Sequence, residues 1–326
     1  MKKIYKIGII GCGHIAEKMA ATLVKMTEVE AYAVAARDIN KAQAFADKWS
    51  FKKAYGSYAE LIDDTEVDLI YIATPHSHHY EHARMCIEKG KPVLCEKSFT
   101  ANALQAKELV RLAEERKVFI TEAIWTRYMP LSLKVQELIK EGAIGTPYML
   151  TANIGYPISH KERIVSPELA GGALLDIGVY TLNFAAMAFG TDIADTYSVC
   201  SKFETGVDSQ ESITLFYKDG KMASLQATTF ARTDRSGVIS GDKGYIVVEN
   251  INNPGCIKVF DENYKLKAEY KAPEQITGFE YQVMASVEAL ENGWIESPFM
   301  PHSETIRIME QMDSLRKEWS VVFQWD

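Results

Sequence analysis

One acid and one phenol stand four residues apart in a largely apolar stretch of this sequence. The stretch reads GGALLDIGVYTLNFA over 171–185, and the acid and phenol are Asp176 and Tyr180. Residues i and i+4 share a face of an α-helix, so both side chains could point into one cleft. There they could transfer a proton to or from a substrate hydroxyl. The alternative is a pair of partly buried polar groups with ordinary hydrogen-bond partners in a core.

The beginning of the chain carries a nucleotide-binding pattern. Residues 3–11 (KIYKIGIIG) predict a buried strand, which continues into the turn GCGHIA at 11–16 and then into an amphipathic helix. In a GxGxxA turn, the first glycine permits the tight turn and the second lets a pyrophosphate approach the helix N-terminus. A second apolar strand at 30–36 completes the context that this motif requires. The sequence therefore predicts a dinucleotide site.

Arg37, at the end of that second strand, bears on the choice of cofactor. Enzymes that prefer NAD usually have Asp or Glu there, which binds the ribose 2′-hydroxyl. This chain has Ala-Ala-Arg-Asp at 35–38, and an arginine can bind a 2′-phosphate through two parallel hydrogen bonds. We therefore expect NADP(H) rather than NAD(H). The alternative is a surface arginine that is paired with Asp38.

Strands and helices continue to alternate through the first part of the chain. Further apolar strands end in Thr74-Pro75, Glu96-Lys97 and Glu122-Ala123. Buried strands that alternate with helices indicate an α/β domain with a doubly wound parallel sheet of the Rossmann type, which binds ligands at the carboxyl ends of its strands. We assign residues 1–123 to this domain and expect the three strand ends to line the cofactor cleft.

Four histidines, at positions 76, 78, 79 and 82, follow Pro75 on a predicted helix. Two of them stand four residues apart and could share a helical face, which raises the possibility of a metal site. No carboxylate or cysteine stands at the spacing that a metal site needs, so we expect no metal. A polar loop near the nicotinamide ribose is the better interpretation.

The remaining chain, residues 124–326, follows another pattern. Strands come in series, separated by turns such as KDGK and GDKG, and two helices at 276–292 and 303–318 close the chain. This order indicates an α+β domain with a large, mostly antiparallel open sheet that helices cover on one face. Another copy of the chain is the commonest cover for the other face, so we expect a homodimer or homotetramer through this sheet.

The composition argues against several classes of partner. Among 326 residues, 36 Lys and Arg stand against 44 Asp and Glu, a net charge of −8, without a basic block for nucleic acid. The sequence contains no run of about 18 apolar residues, so we expect no membrane-spanning helix. The N-terminal apolar run is too short for a signal peptide. The cysteines at 12, 86, 95, 200 and 256 form no CxxC pair, which predicts reduced thiols and a cytoplasmic location.

Taken together, these motifs resemble the Gfo/Idh/MocA oxidoreductase family. GIIGCGHIA, ATPHSHHYEHA, VLCEKSFT and the stretch at 171–185 carry the likeness over nearly the whole chain. TEAIWTRYMP, with Tyr at 180, looks like the branch of dimeric dihydrodiol dehydrogenases and NADP-dependent D-xylose dehydrogenases. The resemblance implies that Lys97 binds near the nicotinamide and the substrate hydroxyl. It further implies that Asp176 supports the site and that Tyr180 accepts or donates the proton.

The predicted contacts fall into two sets. The predicted cofactor contacts are Gly11, Gly13, His14, Ile15, Arg37, Thr74, Pro75, His76, His79, Glu96 and Lys97. The predicted substrate neighbours are Trp125, Arg127 and Phe279, although an aromatic residue at a domain junction is more often part of a core.

Two positions depart from the family pattern. Ser98 replaces the proline of the usual Glu-Lys-Pro, and His76 replaces an asparagine. A cis bond that does not precede proline costs about 3–4 kcal/mol. We therefore expect a trans Lys97–Ser98 bond, or else a cis link that is retained for placing the lysine.

The expected reaction follows from these residues. Oxidising an alcohol requires the loss of a hydride to the nicotinamide and of a proton to a base, here Tyr180. Free tyrosine titrates near pH 10, about three units too high, and an ammonium group such as Lys97 favours the phenolate. We expect an NADP-dependent oxidoreductase acting on a sugar, polyol or trans-dihydrodiol. The alternatives are an NAD-dependent inositol-type dehydrogenase and a non-catalytic, NADP-binding redox sensor.

Overall fold

A computed structural model describes residues 3–326 and divides them into two compact units. The first unit extends to Ile124 and also includes Gln275–Met309, whereas the second comprises Trp125–Glu274 and Glu310–Asp326. The predicted boundary had placed the whole chain from residue 124 onwards in the second domain. The chain returns to the first unit because the Ile120 amide donates to the Ile295 carbonyl at 3.0 Å. His302 Nε2 contacts the Ile120 carbonyl oxygen at 2.9 Å.

The first unit contains the predicted parallel sheet. Its strands are β1 (Tyr5–Ile10), β2 (Val29–Ala35), β3 (Lys53–Tyr55), β4 (Leu69–Ile72), β5 (Val93–Glu96) and β6 (Ile120–Ala123), in the order β3-β2-β1-β4-β5-β6. The helices between them are α1 (His14–Leu23), α2 (Ile39–Trp49), α3 (Tyr58–Asp63), α4 (His76–Glu88) and α5 (Ala103–Arg116). Every residue of β4, β5 and β6 is buried, as expected for a parallel sheet that helices cover on both faces.

The second unit contains a larger sheet. Its strands are β7 (Pro147–Gly155), β8 (Ile193–Lys202), β9 (Asp208–Tyr217), β10 (Met222–Thr228), β11 (Gly237–Gly241), β12 (Gly244–Glu249), β13 (Cys256–Asp261) and β14 (Leu266–Lys271). Their order is β14-β13-β12-β11-β7-β10-β9-β8, and all neighbours are antiparallel except β7 and β10. The predicted fold class is confirmed. The sequence did not reveal β11, because glycines stand at both of its ends and only two apolar residues lie between them.

The helices of the second unit cover one face of this sheet. They include α6 (Pro130–Lys140), α7 (Glu162–Val165) and α8 (Val179–Phe189). Two further helices follow the sheet in the chain. The first, α9 (Glu280–Asn292), belongs to the first unit, and the second, α10 (His302–Glu318), is the last helix. Along β7, Leu150, Ala152 and Ile154 are buried while Met149 and Thr151 are exposed. This alternation is typical of a sheet with one covered face and one open face.

One helical segment, Pro167–Phe189, is long and apolar enough to cross a membrane by length and composition alone. It is the only such segment within residues 3–326. Most of it is buried inside the protein, as the core helices of folded domains often are. The segment ends with α8 and carries both Asp176 and Tyr180.

Candidate active site

The loop between β1 and α1 has the geometry that a pyrophosphate needs. Gly11 has φ +101°, in the left-handed region where a side chain is disfavoured. The position that a Cβ would take on Gly13 faces open space, and no side chain caps the N-terminus of α1. The first-turn amides and the helix dipole at that end favour an anion. Gly11, Gly13 and the half-buried Ile15 therefore fit the diphosphate of a dinucleotide.

Arg37 lies beside this loop, two residues after β2. The Gly11 amide donates to the Ala35 carbonyl at 2.9 Å, which joins the loop to the end of β2. Arg37 is exposed, and the Asp38 carboxylate instead accepts the Asn40 amide at 2.9 Å as the cap of α2. No ion pair between Arg37 and Asp38 occurs in the described part of the chain. The guanidinium is thus available to an external anion.

Cys12, at the centre of the glycine loop, is half-buried. Burial and the Glu17 carboxylate raise the pKa of its thiol to about 11, and the Lys41 ammonium opposes them. The thiol is therefore neutral at pH 7 and would not repel a phosphate. Lys41 lies close enough to lower the pKa of this thiol, so it is a second positive charge near the loop, in addition to Arg37.

Two of the four clustered histidines hold the loop that follows β4. His79 is fully buried, with Nε2 2.7 Å from the Thr74 carbonyl oxygen and Nδ1 2.8 Å from the Ser98 carbonyl oxygen. His82 Nδ1 lies 3.0 Å from Thr74 Oγ1. Burial lowers the pKa of each ring to about 4, so both rings are neutral at pH 7.

This arrangement changes the interpretation of the histidine cluster. The neutral His79 ring donates a hydrogen bond to one of the two carbonyls, while its other nitrogen lies against the second, so the ring packs between the loops of Thr74 and Ser98. His76 begins α4 and is also buried, whereas His14 at the start of α1 is exposed. Among residues 3–326, no group of three His, Cys, Asp or Glu side chains could hold a metal ion.

The loop that carries Lys97 follows β5 and is anchored by buried polar groups. The Lys97–Ser98 bond is cis, which is the second of the two possibilities stated above, and not trans. Tyr71 donates a short hydrogen bond to Glu96, and Glu122 Oε1 accepts the Phe99 amide at 3.0 Å. The two acids were expected to line a cofactor cleft. Both are buried and make these contacts within the unit, and Lys97 is half-buried.

In the second unit, Asp176 and Tyr180 lie on one continuous helix, as predicted, but its first turn is not an α-turn. Leu174–Gly178 is a π-helical segment, in which the Val179 amide donates to the Leu174 carbonyl five residues earlier. Both side chains are buried, at 4% and 8% exposure. Four residues still nearly complete a turn in this geometry, and such π segments are frequent at functional sites.

The two glycines before this helix accommodate the protein rather than a ligand. A Cβ on Gly171 would overlap the carbonyl oxygens of Ile164 and Ser166, and one on Gly172 would overlap the Asp208 carboxylate. Gly172 also has φ +119°, which favours glycine by itself. Packing against other residues of the protein therefore explains glycine at both positions.

Asp176 forms a short ion pair with Arg163 of α7. The carboxylate is almost fully buried, whereas the guanidinium side chain is 43% exposed. Arg163 was not among the predicted site residues. It lies in an irregular stretch with no periodicity, and nothing in that stretch indicates that its partner is Asp176.

Arg127 contacts the same helix from the 3₁₀ turn Trp125–Tyr128. Its Nε donates to Asn183 Oδ1 at 2.6 Å, and Asn183 Nδ2 donates to the Val179 carbonyl at 2.8 Å. Arg127 is buried and Trp125 half-buried. Phe279, the third predicted substrate neighbour, is buried at the start of α9 in the first unit.

Comparison with protein families gives two matches that agree with the two parts of the chain. Residues 5–123 match an oxidoreductase family with an NAD-binding Rossmann fold, and residues 132–247 match the GFO/IDH/MocA C-terminal domain. The chain belongs to the Gfo/Idh/MocA oxidoreductase family. It is therefore an NAD(P)-binding oxidoreductase, and the alternative of a non-catalytic sensor is not favoured.

Curated relatives of this family member extend over nearly its full length. The trans-1,2-dihydrobenzene-1,2-diol dehydrogenase of Mus musculus is 33% identical over 332 residues, and that of Homo sapiens is 34% identical over 333 residues. Each alignment covers 98% of both chains. The resemblance to the dihydrodiol dehydrogenases is thereby confirmed.

Solved structures of other oxidoreductases share the fold of this family member. A 3-ketoreductase from Actinomadura kijaniata, in complex with NADP and TDP-benzene, superposes with a TM-score of 0.87 at 23% identity, covering 97% of this chain and 98% of its own. The aldose–aldose oxidoreductase of Caulobacter crescentus, with bound glycerol, gives 0.88 at 18% identity and 98% of each chain. At these identities the likeness establishes the two-part fold alone.

Proposed function

We propose that this protein is an NADP-dependent oxidoreductase that transfers a hydride between the nicotinamide and a hydroxyl or carbonyl carbon of a sugar, a polyol or a trans-dihydrodiol. The observation that carries this proposal is the 33–34% identity, over nearly the whole chain, to dehydrogenases whose names specify a trans-diol. The buried acid and phenol on one helix supply the proton chemistry that such a reaction needs.

Each group of residues has a role in this proposal. NADP, when bound, supplies the hydride acceptor. The amides of the Gly11–Gly13 loop bind its diphosphate. In the oxidation direction, Tyr180 accepts the hydroxyl proton as the carbonyl forms, and Lys97 hydrogen-bonds the substrate oxygen. Asp176, neutralised by Arg163, orients the polar groups around Tyr180.

A substrate panel tests the proposal directly. NADP⁺ reduction is followed by absorbance with aldoses, cyclic polyols and trans-dihydrodiols at several pH values, and the reverse reaction is followed with the matching carbonyl compounds. Turnover with one class would establish the substrate class together with the cofactor. The absence of turnover across the panel, in protein that binds NADPH tightly, would contradict the proposed substrate classes.

The preference for NADP over NAD rests on Arg37. Because its guanidinium is exposed and is not paired with Asp38, we expect it to bind the 2′-phosphate. A charge-assisted hydrogen bond contributes about 1.5–3 kcal/mol, so Arg37→Ala should raise KM for NADP⁺ by roughly tenfold to a hundredfold and leave KM for NAD⁺ unchanged. Steady-state kinetics with both cofactors measures this.

Arg84→Ala, which removes an exposed arginine paired with Glu88, is the matched control. Equal losses with both cofactors would contradict the role of Arg37.

We further propose that the open face of the larger sheet joins two copies of this chain. Tyr197 and Val199 on the edge strand β8 are 64% and 68% exposed, and Phe216 and Met149 are exposed on the same sheet. Such apolar surface is typical of an interface. Val199→Lys should convert an oligomer into monomers in sedimentation velocity. Val322→Lys, at an exposed valine outside the sheet, should not. A monomeric wild-type chain would contradict this proposal.

A further inference from the structure

Strand β9 places two buried acids beneath the helix that carries Asp176 and Tyr180. The first is Asp208, whose Oδ2 accepts the Leu174 amide at 2.6 Å. Leu174 belongs to the first turn of this helix, where the amides lack partners within the helix. Asp208 thus caps the helix from a distant strand, and its negative charge complements the helix dipole. The absence of a side chain at Gly172 leaves the space that the Asp208 carboxylate fills.

The second acid, Glu211, lies against Gly178 at the end of the π segment. Its Oε1 occupies the space that the Cβ of any larger residue at position 178 would need. Such a Cβ would also lie 3.3 Å from Leu174 Cδ1. Glu211 is 6% exposed, and neither of its carboxyl oxygens has a hydrogen-bond partner in the described residues. A buried carboxyl group without hydrogen-bond partners lowers the stability of the folded protein, so stability does not explain why Glu211 lies here.

Burial raises the pKa of both acids. Burial raises the pKa of Asp208 to about 6, although the Leu174 amide opposes the shift, so Asp208 is mostly ionised above that pH. Burial and the charge of Asp208 raise the pKa of Glu211 well above its usual range. The Asp208 carboxyl group therefore caps the helix, while burial favours the uncharged form of the Glu211 carboxyl group that packs against Gly178.

We propose that Asp208 and Glu211 are positioning residues, which set where the helix presents Asp176 and Tyr180. The two contacts lie on either side of Asp176, at Leu174 and at Gly178, and Tyr180 follows Gly178 by two residues. They therefore fix both ends of the π segment. The inference rests on the proposed function, since it takes Asp176 and Tyr180 as the groups that need placing.

The contact between Gly178 and Glu211 provides a steric test. In Gly178→Ala, the new Cβ would overlap Glu211 Oε1, and under this proposal the helix shifts rather than the buried carboxyl group. We expect kcat to fall by about tenfold to a hundredfold, with the NADPH dissociation constant unchanged. Gly178→Ala/Glu211→Ala removes the overlapping carboxyl group and should recover most of the lost kcat. Gly255→Ala, at a glycine whose Cβ would face open space, is the matched control and should match the wild type.

A readout that is independent of turnover separates this inference from the proposed function. In a tyrosine-labelled NMR spectrum, the Tyr180 signal is assigned by its loss in Tyr180→Phe. We expect Glu211→Ala to shift this signal and Glu211→Gln, which keeps the shape of the side chain, to leave it nearly unchanged. This holds even if every compound in the substrate panel fails.

Three outcomes would overturn the inference. The first is full kcat in Gly178→Ala, which would mean that Glu211 moves away without consequence. The second is a double variant no better than Gly178→Ala alone. The third is a Tyr180 signal that stays in place in Glu211→Ala. The third measurement decides the matter if Gly178→Ala does not fold.

Discussion

Tyr180→Phe is expected to lower kcat by about a hundredfold to ten-thousandfold on whichever substrate the wild-type protein turns over. The phenol is the group that accepts the hydroxyl proton in the proposed reaction, and phenylalanine preserves its ring while removing the acidic hydrogen. Because the site for the diphosphate lies in the first unit, NADPH affinity should change less than twofold. Steady-state kinetics together with fluorescence titration of NADPH measures both quantities.

The matched control is Tyr264→Phe, which removes a phenol from a tyrosine that is 79% exposed. It should leave both kcat and NADPH affinity as they are in the wild type. If Tyr180→Phe keeps wild-type turnover, the proton transfer belongs to another group, and the assignment of Tyr180 is wrong. A loss of NADPH affinity equal to the loss in kcat would instead indicate a general disturbance of the fold.

Lys97→Met is expected to lower kcat/KM by about a hundredfold to a thousandfold, because it removes a charged donor to the reacting oxygen. Methionine keeps most of the length of the side chain, so the loss reports mainly on the charge. In the proposed reaction, the ammonium group also favours the phenolate of Tyr180. The residual activity should therefore rise with pH over a higher range than in the wild type. A kcat/KM profile against pH for both proteins measures this shift.

A surface lysine provides the comparison for this variant. Lys89 forms an exposed pair with Asp63, and Lys89→Met should leave both the rate and the pH profile unchanged, since such pairs contribute little. A lower rate in Lys97→Met with an unchanged pH profile would limit Lys97 to binding the substrate. A rate equal to the wild type would contradict any role of Lys97 in the reaction.

The amino-acid sequence by itself determined the features that depend on a few neighbouring residues. The glycine turn at Gly11 and Gly13 was predicted because its φ angle and its lack of side chains are local requirements. The parallel sheet followed from the alternation of apolar strands with helices. Asp176 and Tyr180 were found because a helix repeats every 3.6 residues, so a four-residue spacing puts both on one side.

Only the tertiary structure decided how those residues are held. Arg163 pairs with Asp176 from 13 residues away, and Glu211 reaches Gly178 from a strand 33 residues further on. His79 and Glu122 likewise fix the loop around Ser98 and Phe99 from separate elements. Such contacts join segments with no common period and no local signal. Their partners become known only when the order of the strands is known, because chain topology sets which distant groups meet.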